Sequence, residues 1–288
     1  GFAGNERLDL TLRVSERLGQ EANARIHHLP QMLYSRHGDA ASLSSTSSPD
    51  AQDESSARRA IAESLERRGV EATIEPGSMS GRRRVRYALP VQPEVTLVVP
   101  TGGKLRFLRP GLESLSRQTT YPNIRFLVID NSSGEEVAEL CAELAATGVA
   151  IQREPLPLQP FNFSALINHA VRKVETPYLV LLNDDMTVIT PDWIEAMLEH
   201  AQQPEVGAVG CKLLYPDDTI QHAGVVFGPH EGAVHPFRHF PDSHPGYFGI
   251  HQVVRNVSAV TFACAMLRRS IFDEVGLLDE VELPGRLQ

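Results

Sequence analysis

The feature that most constrains this fold is a series of short, mainly apolar segments after Glu94, with segments of helical periodicity between them. VTLVVP at 95–100, IRFLVI at 124–129 and YLVLL at 178–182 each have the length of one strand. Apolar runs of this length are typical of parallel strands that are covered on both faces. The alternation predicts an α/β fold in which helices flank a mostly parallel sheet.

Helices are predicted between these strands. Leucines at helical spacing predict a helix over 105–115, with Pro110 near the start of its regular turns. A helix over 190–200 is expected to begin with Thr190 as its N-cap and Pro191 at its first position. The same patterns predict two more helices and a weak strand, at 135–146, 163–174 and 149–151 respectively.

The N-terminal third has a different character. Residues 38–56 hold almost no large apolar side chain and cannot bury enough surface to offset their ordering entropy, so we interpret them as a linker. A short amphipathic helix is predicted over 57–69, because Gly69 is a common helix stop. Two short strands are predicted after it, at 72–74 and 84–89.

The acidic charge is concentrated in the α/β part of the chain. Residues 1–92 hold 13 basic and 12 acidic side chains, whereas 93–288 hold 14 basic and 24 acidic ones, a net charge of −10. This balance argues against a nucleic-acid partner, which requires a basic face. An anionic small molecule would need a neutralising group here, most commonly a divalent cation.

The cysteines and the hydropathy pattern exclude two further classes. Cys141, Cys211 and Cys264 lie far apart without CxxC spacing, which disfavours a disulfide scaffold or zinc ribbon and indicates small core residues in a reducing compartment. No segment approaches the roughly 18 to 20 continuous apolar residues of a membrane span. Four histidines in a Pro- and Gly-rich segment have irregular spacing and no Cys partners, which favours a surface loop over a zinc site: His230, His235, His239 and His244.

Polar residues follow three of the predicted strands. Thr101 ends the first, Asp130 and its neighbours end the second, and Asn183-Asp184-Asp185 follows the strand at 178–182. In parallel sheets, ligands bind outside the carboxyl ends of the strands. Each polar segment could equally form a turn, but three together favour a binding site.

Six segments, in order, resemble one known family. They are VTLVVPT, LVIDNSS, PFNFSALIN, YLVLLNDDMTVITPDWIEAM, VGAVGCKLLYPDDTIQHAGVVFG and NVSAVTFACAMLRRSIFDEVGLLDE. Residues 94–280 thus resemble the family 2 glycosyltransferases of the GT-A fold, and most closely the rhamnosyltransferase-like subgroup of O-antigen and polysaccharide synthesis. The resemblance implies inverting transfer of a sugar from a nucleotide-diphosphate donor to a hydroxyl of a glycan or lipid-linked glycan.

The resemblance also implies roles for individual residues. Asp185 would bind Mg²⁺ or Mn²⁺, with Asn183 at the first DxD position and Asp184 in contact with the donor ribose or sugar. Residues implied in donor binding are Pro100, Thr101, Asp130, Asn131, Ser132, Asn162 and Asn168. Gln221 and His222 match a segment beside the acceptor cleft. Helix capping by Asn162 and a structural strand-edge pair at Gln221 and His222 are the alternatives.

The resemblance extends to the N-terminus. Residues 1–38 are similar to the tail of an upstream module of the same fold, which predicts a tandem enzyme with boundaries at 1–38, 39–92 and 93–288. The catalytic base is then expected beyond Gln288. The implied location is the cytoplasm, with peripheral association at the inner face of the membrane.

Two other functions are consistent with the sequence. One is a non-catalytic module that binds a sugar nucleotide, and it is favoured by the missing base. The other is a nucleotidyltransferase, which normally has a Gly-rich basic loop after its first strand. Gly102-Gly103-Lys104 is too slight a match to that loop.

Overall fold

The computed structural model describes residues 5–19, 51–79, 81–228 and 232–282, with side chains described for all of these except 51–53, 247 and 248. Two compact units are present, Gly1–Ala88 with Tyr247–Val254 and Leu89–Gly246 with Arg255–Gln288. Residues 20–50, which include parts of the predicted upstream tail and linker, lie outside the described residues, as does His230. None of the helices in the described ranges is long and apolar enough to cross a bilayer.

The first unit pairs two helices and a hairpin. Helix α1 (Glu6–Gly19) packs on α2 (Ala51–Arg67), and strands β1 (Ala72–Pro76) and β2 (Arg83–Tyr87) are antiparallel. Arg67 Nε and Ser64 Oγ donate hydrogen bonds to the Glu16 carboxylate at 2.8 and 2.6 Å. These bonds hold the pKa of Glu16 down at about 2, first through Arg67 and then through Ser64.

Helix α2 begins six residues before the predicted position, so the interpretation of 51–56 as linker is wrong. Asn5 donates to the Ser56 hydroxyl at 2.6 Å, and Ser56 is buried. This contact links residues 51 positions apart, and local composition carries no trace of it.

The second unit is built on a six-stranded sheet. Its order is β5-β4-β3-β6-β12-β7, with parallel pairing among β5, β4, β3 and β6 and antiparallel pairing of β12 with both β6 and β7. The strands are β3 (Val95–Thr101), β4 (Ile124–Asp130), β5 (Ile151–Pro155), β6 (Tyr178–Leu182), β7 (Ala208–Gly210) and β12 (Cys264–Arg268). The predicted mostly parallel α/β architecture is confirmed.

Within its described residues, five helices and two small hairpins complete this unit. The helices are α3 (Leu105–Gln118), α4 (Glu136–Ala146), α5 (Phe163–Lys173), α6 (Trp193–Ala201) and α7 (Arg269–Val275). The hairpins pair β8 (Leu213–Leu214) with β9 (Ile220–His222) and β10 (Val226–Gly228) with β11 (Gly232–Val234). A 3₁₀ helix, Tyr247–Gln252, belongs to the first unit.

Both faces of the sheet are covered, as the apolar strands predicted. Along β3, Leu97 belongs to the core on one face and Val98 to the core on the other. Helices α3, α4 and α6 pack on the first face, and α5 and α7 on the second. The covered sheet leaves the carboxyl ends of its central strands as the place where polar groups gather.

Three predicted elements of this second unit differ from the structure. Helix α3 starts at Leu105 and contains Pro110. Pro110 has no N–H to donate to the carbonyl of Arg106, and Arg106 lies in the exposed first turn of the helix. Helix α6 starts at Trp193 instead of residue 190, because the Pro191 carbonyl accepts bonds from Thr120.

Strand β5 is the third difference. It covers Ile151–Pro155, not 149–151, because it aligns with β4 from Phe126↔Ile151 to Asp130↔Pro155. Its IQREP sequence is polar for a strand, which suits its place at the sheet edge.

Candidate active site

The sheet order brings the three predicted polar segments together. Strands β4, β3 and β6 are neighbours, and Thr101 at the end of β3 aligns with Asp130 at the end of β4. Asp184 follows β6 on the other side of β3. The carboxyl ends of three adjacent strands therefore form one polar edge.

A hydrogen bond between Thr101 and Asp184 joins two of these segments. Thr101 Oγ1 donates to Asp184 Oδ2 at 2.6 Å and accepts from the backbone amide of Gly103 at 3.1 Å. Burial raises the pKa of Asp184, while the Thr101 bond and the nearby Lys104 cation act in the opposite direction and Asp185 adds to the rise. The Thr101 hydroxyl thus stabilises a carboxylate that is partly removed from water.

Gly103 lets the turn after β3 lie against the turn after β4. Its φ is +83°, and a Cβ atom there would stand 2.6 Å from the Cβ of Ser132. The Ser132 hydroxyl is buried and has no hydrogen-bond partner within the described residues. Backbone and small side chains therefore approach closely at the strand ends where the resemblance predicts nucleotide binding.

Asp130 is fully buried and its charge is already paired. Its Oδ1 accepts from the Ser132 amide at 2.9 Å, and its Oδ2 accepts from Arg153 Nε at 2.7 Å. Asn131 is also engaged, since its side-chain oxygen accepts from the Leu158 amide at 2.6 Å. Contact of these residues with a nucleotide stays a prediction. The sequence analysis did not identify Arg153, because this residue lies in the part of β5 beyond the predicted strand at 149–151.

Asn162 and Asn168 hold a distant segment against α5. Asn162 Oδ1 accepts from the Ala165 amide at 3.0 Å, which is the capping alternative, and its Nδ2 donates to the Glu280 carbonyl at 2.9 Å. Asn168 is buried and donates to the Leu278 carbonyl at 2.8 Å and to Glu280 Oε1 at 2.7 Å. Their predicted contact with a diphosphate is untested, whereas their anchoring of 278–280 is evident.

The segment after β6 presents one open carboxylate. Asn183 and Asp185 are exposed, and the backbone amide of Asn183 donates to the Ala263 carbonyl just before β12. The Asp185 carboxylate makes no ion pair or hydrogen bond with other described side chains. No cluster of three or more His, Cys, Asp or Glu side chains suited to a metal occurs in the described part of the chain.

This arrangement fits a cation that is held mainly by its ligand. Mg²⁺ usually keeps several waters and binds through one or two carboxylates together with substrate phosphates. Asp185 supplies one such carboxylate, and Asp184 is fixed beside it by Thr101. The donor set is all oxygen, as hard divalent cations prefer.

Gln221 and His222 lie on β9, which pairs with β8 outside the six-stranded sheet. His222 is 1% exposed, and its ring contacts the ring of His235 at 2.8 Å between the two Nδ1 atoms. This burial supports a structural position for His222. Its predicted acceptor contact is untested.

Helix α3 supports the loop that carries Asp184. Ser114 Oγ accepts from the Val188 amide at 2.9 Å, and a Cβ at Gly111 would stand 3.0 Å from the Asp184 carbonyl and 3.1 Å from that of Met186. Both neighbours are backbone atoms, which cannot turn away as a side chain can.

Gly111→Ala is expected to destabilise the protein by about 1 kcal/mol, because overpacking against this loop outweighs the helix propensity that alanine gains. Urea unfolding measures the difference. Gly207→Ala is the matched control, since a Cβ there meets nothing within 4 Å. Equal stability of the two variants would show that the loop moves to accommodate the added methyl group, and would contradict the expected overpacking.

Thr101→Val is expected to raise the pKa of Asp184 further, because the carboxylate loses its nearest donor. An acid with a raised pKa weakens the fold as pH rises through that pKa. The variant should therefore lose about 1 to 2 kcal/mol near neutral pH and less in acid. Carboxyl NMR titration and urea unfolding at two pH values measure both effects. Thr101→Ser keeps the hydroxyl and should resemble the parent; equal losses in the two variants would contradict the role of this bond.

Comparisons with known proteins found a matching family model and two similar proteins. The sequence model of glycosyl transferase family 2 matches residues 96–276. The chain is 37% identical over 98% of its length to the uncharacterized protein y4gI of Sinorhizobium fredii (strain NBRC 101917 / NGR234). It is 38% identical over 97% of its length to the O-antigen biosynthesis protein RfbC of Myxococcus xanthus. The chain spans only 31% and 21% of these two proteins.

A solved structure confirms the fold. GalNAc-T7 with UDP, GalNAc and Mn²⁺ matches with a TM-score of 0.52 at 12% identity, covering 67% of this chain and 38% of that one. At this identity the likeness concerns the fold alone, and it agrees with the GT-A architecture implied by the sequence. Since the family match covers well over half of the chain, the chain belongs to glycosyl transferase family 2.

Proposed function

We propose that this chain binds a nucleotide-diphosphate sugar and transfers the sugar, with inversion, to a hydroxyl of a glycan or lipid-linked glycan during cell-surface polysaccharide synthesis. Family membership and the similarity to an O-antigen biosynthesis protein support this proposal. The observation that carries it is the Thr101–Asp184 bond, which holds the Asp184 carboxylate, next to Asp185 in sequence, at the edge shared by β3, β4 and β6.

The nucleotide is proposed to lie over the ends of β3 and β4. Pro100, Thr101 and Ser132 line that side, where Gly103 allows close approach to backbone amides. Asp130 is buried and orients Arg153 through their 2.7 Å bond, so the partly exposed Arg153 is the member of the pair proposed to face the base or ribose. Bound anions at this edge would also face Lys104, which acts on Asp184 electrostatically.

The diphosphate is proposed to lie next to Asp185, which would hold Mg²⁺ or Mn²⁺ with Asn183 alongside. When bound, the cation neutralises charge that develops on the leaving diphosphate. Asp184, fixed by Thr101, is then placed to accept hydrogen bonds from hydroxyls of the donor ribose or sugar. Asn162 and Asn168 support this site by holding 278–280 on α5 and are proposed to approach the diphosphate from that side.

The larger setting is proposed from the sequence and the comparisons. A tandem arrangement of two modules suits a chain that spans 21% to 31% of its relatives. The rhamnosyltransferase-like subgroup, a cytoplasmic location with peripheral membrane association, and a base supplied by a segment after Gln288 are part of the same proposal. They would be tested in the longer protein.

Asp185→Asn tests metal-assisted donor binding. Calorimetry with UDP and with GDP, each with and without Mn²⁺, is expected to show binding that Mn²⁺ strengthens. In the variant, the factor by which Mn²⁺ strengthens nucleotide binding should fall at least tenfold, a difference of about 1.4 kcal/mol. Glu205→Gln, which removes an exposed acid elsewhere on the same unit, is the control.

Two outcomes would redirect the proposal. If Asp185→Asn binds nucleotide with unchanged Mn²⁺ dependence, the cation lies elsewhere. If nucleotide binds but no sugar nucleotide is turned over, even in a chain extended past Gln288, the non-catalytic binding module is the better account.

A further inference from the structure

A pair of histidines outside the proposed donor site forms an unusual contact. His222 on β9 is buried, whereas His235, directly after β11, is exposed. Their Nδ1 atoms are 2.8 Å apart and their rings meet edge to face at 70°. Two imidazoles this close must share one proton between these nitrogens, so the protonation of one ring determines that of the other.

The backbone around His222 determines which nitrogen carries the proton. The Gly224 amide donates to His222 Nε2 at 3.2 Å, and the Thr261 amide approaches the same nitrogen at 3.5 Å. An amide can only donate, so Nε2 of His222 accepts and its Nδ1 carries the hydrogen. That hydrogen points at Nδ1 of His235, which leaves the proton of His235 on its outer nitrogen, Nε2.

The pair is held neutral. Burial and the neighbouring His235 lower the pKa of His222 to about 4. Burial and the Arg238 cation lower the pKa of His235. Near neutral pH, His235 is therefore a fixed, uncharged donor at Nε2.

Hydrogen bonds connect this pair to the proposed metal-binding segment. The Thr261 amide faces His222, Thr261 Oγ1 accepts from the Ala263 amide at 3.3 Å, and the Ala263 carbonyl accepts from the Asn183 amide at 3.1 Å. In the sheet, β12 lies on the side of β6 opposite β3. The hydrogen bonds from Asn183 to the histidine pair therefore run on the β12 side of β6, away from the strands proposed to bind the nucleotide.

An open pocket of about 300 Å³ lies next to this hairpin, at the start of β10. It is lined by Val225, Val226, Arg255, Asn256, Val257 and Ser258. Val226 pairs with Val234, the residue before His235, and Arg255 donates to the carbonyl of Ala223, the residue after His222. Three valines and three polar residues line this pocket, and a sugar ring offers both kinds of surface.

We propose that His235 donates a hydrogen bond from Nε2 to an oxygen of the acceptor sugar, and that His222 is a positioning residue that keeps His235 in this tautomer. The inference rests on the proposed function, because it assigns the acceptor side of the same site. It moves the acceptor contact from His222, which is buried, to the residue that His222 orients.

The tautomers are tested by ¹⁵N NMR of the imidazole rings in the chain near neutral pH. We expect the hydrogen on Nδ1 of His222 and on Nε2 of His235. A hydrogen on Nδ1 of His235 would overturn the inference, because the outer nitrogen would then have no proton to donate.

The acceptor contact is tested with methyl glycosides of glucose, galactose, mannose and N-acetylglucosamine, added to the chain with UDP or GDP and Mg²⁺. We expect at least one glycoside to shift the His235 ring resonances. His235→Phe should weaken that glycoside about tenfold and leave nucleotide affinity unchanged, whereas His235→Gln, which keeps a donor, should stay within about threefold of the parent.

The outcomes separate this inference from the proposed function. Normal nucleotide binding with no glycoside effect at His235, or equal losses in the Phe and Gln variants, overturns the inference alone. A His235 ring that responds to nucleotide and not to glycoside also overturns it. Loss of nucleotide binding in the parent chain, with the glycoside effect retained, overturns the proposed donor site and leaves His235 as a sugar contact.

Discussion

The site depends on keeping a carboxylate charged where the fold has partly removed it from water. Asp184 follows a buried strand, and burial raises its pKa. The Thr101 hydroxyl, at 2.6 Å, compensates part of that cost and ties the end of β6 to the end of β3. Because Thr101 is itself buried and bound to the Gly103 amide, the bond has little freedom to rearrange. The position of Asp185 follows from this arrangement.

Glycines and long-range contacts make the arrangement possible. Gly111 lets α3 reach the carbonyls of Asp184 and Met186, and Gly103 lets two strand-end turns touch. Asn168 on α5 donates a hydrogen bond to the Leu278 carbonyl, which holds a segment 110 residues away in sequence on the same side of the sheet as α5. Close approach of backbone therefore shapes the site as much as charged side chains do.

Local patterns were sufficient for the three central parallel strands and for the polar edge that follows them. Strand-length apolar runs identified β3, β4 and β6, and the residues after them proved to be neighbours, because parallel strands must end on the same side. Local patterns did not predict the features that depend on a contact with a residue distant in sequence. The start of α2 depends on Asn5 and Ser56, the pairing of Asp130 depends on Arg153 in a polar edge strand, and the partner of His222 lies in a loop with irregular histidine spacing.

The central claim is that a divalent cation and a nucleotide diphosphate meet at the carboxylate of Asp185. Anomalous scattering from crystals grown with Mn²⁺ and a nucleoside diphosphate measures this most directly. The account predicts one manganese peak in coordination contact with Asp185 and the diphosphate, with the base over the ends of β3 and β4 and the Thr101–Asp184 bond intact. A manganese peak remote from Asp185, or a nucleotide bound away from those strand ends, would contradict it.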